Sequence, residues 1–383
     1  MISEKAICEL FSLMLPSGRA NDCFESDAEI ISLNGKPNGL FTTDEFSAED
    51  LFRENDPYLL GWNIASGAIS DILACGGVPL YYAHALTVDP RWDAAYLRGL
   101  GSGVGDVLKA TGARFIGGDC GRSEVWRCTV SVIGQCEGAP VRRRGARPGD
   151  LIYLSGEIGA GNLEAALRLY GGRHSQKSRP IKTQFPVRLR ESALMRDFAS
   201  CCIDTSDGAC AALNALADLN ACGYAVAELP YLRAGLGFCR RASLPDELLF
   251  LGECGEYELL FTVRPERDEA FDIEARKSGC HFHRLGVITG SGRKLFEDER
   301  AIDLASWDRQ ARDFDSPAQY LEALGRWLGR QQTVGGKGNA SVMGANGLAG
   351  SARCATPDVS GQRGVPTSRE RRITGKTNLP RRS

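Results

Sequence analysis

Apolar positions along the first 135 residues switch between two periods. Ala28–Ser32 and Leu40–Thr43 flank Asn34-Gly35-Lys36-Pro37-Asn38-Gly39, a pattern that predicts two strands around a turn. Pro57–Leu73 carries apolar residues at helical spacing and closes at Cys75-Gly76-Gly77, with Pro79 beyond, a helix stop. Tyr81–Val88 reads as a strand. Ala94–Thr111 puts Leu97, Leu100, Val104, Val107 and Leu108 on one face of a helix that Gly112 ends. Arg114–Ile116 and Arg127–Ile133 then alternate as strands around the Gly117-Gly118-Asp119 turn. The order strand, strand, helix, strand, helix, strand, strand predicts an α+β domain.

The turn Arg144-Gly145-Ala146-Arg147-Pro148-Gly149-Asp150, followed by a strand at Leu151–Ser155, marks entry into a second domain. Helices at Asn162–Leu169 and Gly208–Asn220 and strands at Glu258–Val263 and His283–Val287 fill it. The expected division is residues 1–140, 141–330 and a tail, 331–383. That tail has Gly-Gly-Lys-Gly-Asn-Ala, scattered Ser and Thr and no apolar periodicity, so it should be disordered. It reads as a binding arm, as an inert extension or as a reading-frame accident.

Composition narrows the class. With 43% hydrophobic and 25% charged residues over 383 positions, the chain has core enough for two domains or one large one and is not globally disordered. Residues 1–330 hold 37 Lys and Arg against 46 Asp and Glu, and residues 331–383 hold 9 against 2. An acidic folded part disfavours a broad nucleic-acid face. The fourteen cysteines stand singly apart from Cys201-Cys202 and form no Cys-x-x-Cys pair, which argues against zinc. Met1–Leu15 lacks the pattern of a secretory or transit leader, and no apolar window reaches a spanning length. A reducing cytoplasm is the expected compartment, with no membrane partner.

Five aspartates then stand out: Asp27, Asp44, Asp71, Asp119 and Asp207, each in a context that predicts a strand end or tight turn. Turn or cap duty accounts for any one of them. As an ordered set they suit a site for Mg²⁺, a hard cation that bridges carboxylates to substrate phosphates. Gly117-Gly118 and Gly208 permit close approach of backbone to phosphate oxygens. The four histidines form no relay.

The combination of Gly117-Gly118-Asp119 with Asp204-Thr205-Ser206-Asp207-Gly208, together with Ser26-Asp27-Ala28, Thr42-Thr43-Asp44 and Ile69-Ser70-Asp71, resembles the thiamine-monophosphate kinase family. Its wider superfamily includes aminoimidazole ribonucleotide synthetase, selenophosphate synthetase and the hydrogenase-maturation dehydratase. The resemblance covers roughly residues 20–310 and implies a two-domain aminoimidazole ribonucleotide synthetase-like fold. Its N-terminal domain would form a barrel with a second copy, through residues 27–135, and its C-terminal domain would be α/β. It implies ATP and Mg²⁺ as cofactors and a small-molecule phosphate acceptor, thiamine monophosphate first. Asp27, Asp44, Asp71, Asp119 and Asp207 would hold metal, with Asp207 and Arg143 catalytic. Thr42, Thr43, Gly118, Asp119, Arg143 and Ser206 would contact nucleotide, and Glu256 and Trp307 the acceptor.

Three departures accompany the match. The family's Gly-Asp-Asp-Ala is here Glu25-Ser26-Asp27-Ala28, one carboxylate short. Its Gly-Gly-Glu-Asp-Tyr-Glu is Glu253-Cys254-Gly255-Glu256-Tyr257-Glu258, and a substrate-contacting histidine is matched by Leu51. Trp307 serves equally as a stacking face or as a core or rim residue. Two other functions stay open. One is an ATP-dependent synthetase with a different acceptor, for which the chain lacks the C-terminal cysteine of the dehydratases. The other is a non-catalytic nucleotide-binding protein.

Overall fold

The computed structural model describes residues 4–33, 35–48, 56–174, 183–297 and 300–331. Leu51 and the tail beyond Gln331 lie outside the described residues. The first half forms in the expected order, preceded by a helix that the apolar pattern did not announce. The elements are α1 (Glu4–Met14), β1 (Glu29–Leu33), β2 (Lys36–Ser47), α2 (Pro57–Ala74), β3 (Val78–Val88), α3 (Ala94–Thr111), β4 (Arg114–Arg122) and β5 (Arg127–Gln135). The strands make one sheet in the order β1-β2-β5-β3-β4. All pairs are antiparallel except β3 with β4. The bounds of α3 follow from its ends: Asp93 accepts a hydrogen bond from Tyr96 N–H, and Gly112 takes the left-handed conformation at the close.

The second half contains β6 (Leu151–Leu154), α4 (Ala160–His174), α5 (Leu189–Phe198), β7 (Ala199–Asp204), α6 (Ala209–Leu219), β8 (Gly223–Ala227), α7 (Arg233–Ala242) and α8 (Leu248–Leu251). It continues with β9 (Leu259–Val263), α9 (Asp268–Ser278), β10 (His283–Thr289), β11 (Arg293–Glu297), β12 (Arg300–Asp303) and α10 (Pro317–Gln331). Its seven strands run β12-β11-β8-β10-β6-β9-β7. Only β8 and β11 pair in parallel, so the alternation of helices and strands here wraps a largely antiparallel sheet. Among the described residues no helix is long and apolar enough to cross a membrane.

Helix α2 ties the halves together. Asp56 caps it by accepting from Leu59 N–H, Pro57 opens it, and thirteen of its residues are buried, as expected of a helix apolar on every side. It packs on α3 and the first sheet and also touches β7. One core accordingly runs from Ile30, Leu40 and Val130 through Ile64, Ala68 and Ile72 to Cys202, Leu259 and Phe261 of the second sheet. Polar residues on so buried a helix need partners. Ser70 and Asp71 find theirs in the candidate site.

Candidate active site

Four elements deliver carboxylates to one place. Asp27 comes from the loop before β1, Asp44 from β2, Asp71 from the last turn of α2 and Asp204 from the end of β7. Carboxylate oxygens of Asp27, Asp71 and Asp204 lie within 4.8 Å of one another. Their neighbours fix them. Thr42 Oγ1 donates to Asp71 Oδ2 at 2.5 Å, Ser70 Oγ to Asp204 Oδ2 at 2.7 Å and Ser206 Oγ to Asp204 Oδ1 at 2.9 Å. Arg143 donates from Nη2 and Nε to Asp27 Oδ1, at 2.6 and 3.1 Å. Its own segment is anchored by Arg143 N–H to Glu25 O and by Asn220 Nδ2 to Arg143 O, both 2.9 Å.

The electrostatics record the crowding. Burial, then the Asp27 charge, pushes the Asp44 carboxyl up to about 6. Burial, then Asp27, pushes Asp204 up to about 7 against the hydrogen bonds of Ser70 and Ser206 and the charge of Arg143. Asp71 rises well above the ordinary carboxylate range, through burial and then Asp44, Asp204 and Asp27. Burial alone would lower Arg143, but the charge and hydrogen bond of Asp27 and the charges of Asp71 and Asp204 outweigh it and hold the guanidinium protonated. One fixed cation facing four carboxylates is too little. The donor set is all oxygen, which fits a hard divalent cation such as Mg²⁺.

A pH dependence follows. These aspartates have folded-state values above the unfolded one, so their contribution to stability is greatest below about pH 4. It falls as pH rises through about 6 for Asp44 and about 7 for Asp204. A divalent cation requires the deprotonated groups and should offset that loss. We therefore expect Mg²⁺ to raise the melting temperature more at pH 8 than at pH 5.5. Calorimetry showing an equal or larger Mg²⁺ effect at pH 5.5 would contradict this.

The other sequence-derived residues fall in different places. Thr42 is buried in the group. Thr43 is exposed, accepting from Ser131 Oγ at 3.3 Å on the opposite face of the sheet. Asp119 pairs through Ala85 and Thr129 to Glu45, which puts it in the row next to that of Asp44, on the other face, where it is exposed and accepts from Cys120 N–H. Asp207 is exposed beyond Ser206, with its charge acting on Glu253. Neither Asp119 nor Asp207 joins the group within this chain. Gly118 sits where a Cβ would lie 1.7 Å from His84 O, so no side chain fits between β4 and β3 there. Asp204 is the residue that sequence reasoning missed. Its signal was its position as the last residue of a buried strand, one turn before the glycine-flanked Asp207.

Glu256 is 3% exposed, and Gly159 N–H donates to its Oε1 at 2.6 Å. Burial, with the Glu258 charge adding and the Gly159 hydrogen bond opposing, pushes it up to about 8. It lines a cavity of about 400 Å³ together with Phe185, Arg188, Glu258 and His283. Trp307 is half-buried and packs against Tyr320 and Trp327, with ring centroids 6.2 and 5.5 Å away, which is a rim position.

Comparison with known proteins identifies the family. The chain matches the family models described as AIR synthase related protein, N-terminal domain, over residues 25–136, and AIR synthase related protein, C-terminal domain, over residues 147–298. The two matches together define an AIR synthase related protein. The thiamine-monophosphate kinase of Halobacterium salinarum is 30% identical over 215 residues, 56% of this chain and 72% of that protein. That of Aquifex aeolicus is 29% identical over 280 residues, 70% of this chain and 87% of that protein. The solved structure of AaThiL complexed with AMPPCP and TMP matches with a TM-score of 0.65 at 25% identity, over 78% of this chain and 94% of that one. The chain belongs to the thiamine-monophosphate kinase family.

Proposed function

We propose that this chain is an ATP-dependent small-molecule kinase that transfers the γ-phosphoryl group of ATP to the phosphate of thiamine monophosphate, giving thiamine diphosphate and ADP. The observation that carries the reading is the convergence of Asp27, Asp71 and Asp204 on one point, in a chain of this family. An acceptor phosphate oxygen attacks the γ-phosphorus, and the bond to the β–γ bridging oxygen breaks, with no protein nucleophile required. Asp27, Asp44, Asp71 and Asp204 would hold Mg²⁺, which when bound neutralises charge on the transferring group. Arg143 keeps a permanent positive fork at the edge of the group. Thr42, Ser70 and Ser206 orient the carboxylates so that little reorganisation accompanies transfer. Glu256 and its cavity offer the acceptor a pocket beside Thr205, whose hydroxyl lies 3.4 Å from the Glu256 carboxyl. ADP release stimulated by thiamine monophosphate supports the proposal. An ATPase indifferent to it would favour another superfamily reaction, and tight nucleotide binding without turnover a non-catalytic role.

The same reading includes a homodimer through residues 27–135. Its support is the edge strand β4 and the adjoining sheet face, where Phe115 and Ile116 are 54% and 58% exposed and Val78 and Tyr81 are each 42% exposed. Light scattering that returned a monomer mass at micromolar concentration would contradict it. The thirteen described cysteines are all free thiols, which supports a cytoplasmic location. Cell fractionation checks that point.

A further inference from the structure

The loop that carries Asp27 is fastened to the helix that carries Asp71. Cys75 follows Asp71 by one helical turn, at the end of α2, and is 1% exposed. Ala28 N–H donates to its Sγ at 3.4 Å, and Ser26 Oγ lies 3.3 Å from the same sulfur. Cys75 N–H donates to Asp71 O at 3.3 Å, while Cys75 O accepts from Val141 N–H at 3.0 Å and from the Cys136 thiol at 3.3 Å. Both neighbours of Asp27 in the chain therefore touch one sulfur, whose backbone belongs to the turn bearing Asp71. Upstream, Glu25 is gripped separately by Arg142 and Arg144, at 2.9 and 3.4 Å, and by Arg143 N–H.

We propose that Cys75 and Ser26 are positioning residues for the cation site, a latch that holds the Asp27 carboxylate beside Asp71 and Asp204. This rests on reading those carboxylates as a divalent-cation site. Three like charges within a few ångströms repel, and a free loop would relieve the repulsion by swinging Asp27 outward. Arg143 offsets part of that repulsion from one side. The latch resists the rest from the other, by tying residues 26 and 28 to α2. It also accounts for the serine at position 26, where the resembled family carries a second aspartate. The hydroxyl is engaged by a buried sulfur, whereas a carboxylate there would be a further charge beside Asp27.

The test is Mn²⁺ titration of the nucleotide-free protein, followed by the electron paramagnetic resonance signal of free Mn²⁺, with melting temperatures recorded without cation. Cys75→Ala and Ser26→Ala should each weaken Mn²⁺ binding about tenfold, the lower end for residues that orient metal ligands. The double variant should be no weaker than the weaker single variant, because both lose the same link. Cys75→Ser should retain part of the affinity. Native Mn²⁺ affinity in both single variants, even with lowered melting temperatures, would reduce Cys75 to a packing residue and overturn the proposal. Should Cys75→Ala fail to fold, Ser26→Ala alone decides, since it removes only the hydroxyl. A native protein that binds no Mn²⁺ would overturn the cation-site reading itself, and the latch with it.

Discussion

Asp204→Asn is expected to lower kcat/KM for phosphoryl transfer by about 10³-fold, with the fold intact, and Asp71→Asn by a similar factor. Asp204 is 2% exposed and receives two hydroxyl hydrogen bonds. An amide can keep one of these as an acceptor, but it loses the charge on which a hard cation depends. Removing a like charge from the cation-free group also relieves repulsion. The same variants should therefore melt no lower than the native protein without Mg²⁺, yet gain less from adding it. Steady-state kinetics and paired melting curves check both parts. Asp207→Asn is the informative comparison, because Asp207 lies exposed outside the group and a smaller loss is expected from it. An equal or larger loss would move the metal assignment to the second aspartate of the motif.

Gly255→Glu, which restores the family's acid at that position, should damage the site instead of improving it. A Cβ on Gly255 would lie 1.9 Å from Thr205 O and 2.2 Å from Ser206 O, distances that no real contact reaches. Both carbonyls belong to the segment directly after Asp204, and Glu256 N–H donates to Thr205 O at 3.2 Å. The backbone must shift, and the displacement reaches Asp204 and Glu256 together. Overpacking of this kind costs about 1–3 kcal/mol or more. A fall in melting temperature of at least about 2 °C is expected, along with weaker Mg²⁺-dependent nucleotide binding. A variant that melted and bound like the native protein would show that this turn has room the structure does not reveal.

Much of this architecture is legible in the sequence. Period and punctuation located α2, α3 and the strands of the first half, but not α1, and they ended β4 at Ile116 where the strand runs on through Gly117-Gly118-Asp119 to Arg122. The C-terminal end of α3 could be read to the residue, because Gly112 is a chemical end signal as well as a pattern break. Elements buried on both sides were harder. β7 (Ala-Ser-Cys-Cys-Ile-Asp) and β8 (Gly-Tyr-Ala-Val-Ala) offer little alternation, and α5 is short and carries four charged residues in ten. In the site, Asp27, Asp44 and Asp71 could be grouped from local context, but Asp119 could not be placed on a face. The side to which a strand residue points depends on register, and β3 shifts register against β4 between Tyr82 and His84. Asp204 was overlooked for a related reason. Glycine and turn chemistry pointed to Asp207, whereas the burial of a strand's last residue emerges only once β7 packs beside β9 and α2. The Ser26–Cys75 contact spans 49 residues, and no local rule anticipates it.

In the proposed reaction this carboxylate group drives transfer to the phosphate of thiamine monophosphate. The most direct test is product analysis by ³¹P nuclear magnetic resonance, with native protein, ATP, Mg²⁺ and thiamine monophosphate, run beside Asp204→Asn. The expected result is thiamine diphosphate and ADP in equal amounts, abolished by chelating the cation and strongly reduced in the variant. ATP hydrolysed to ADP and inorganic phosphate without thiamine diphosphate, or equal product from Asp204→Asn, would contradict it.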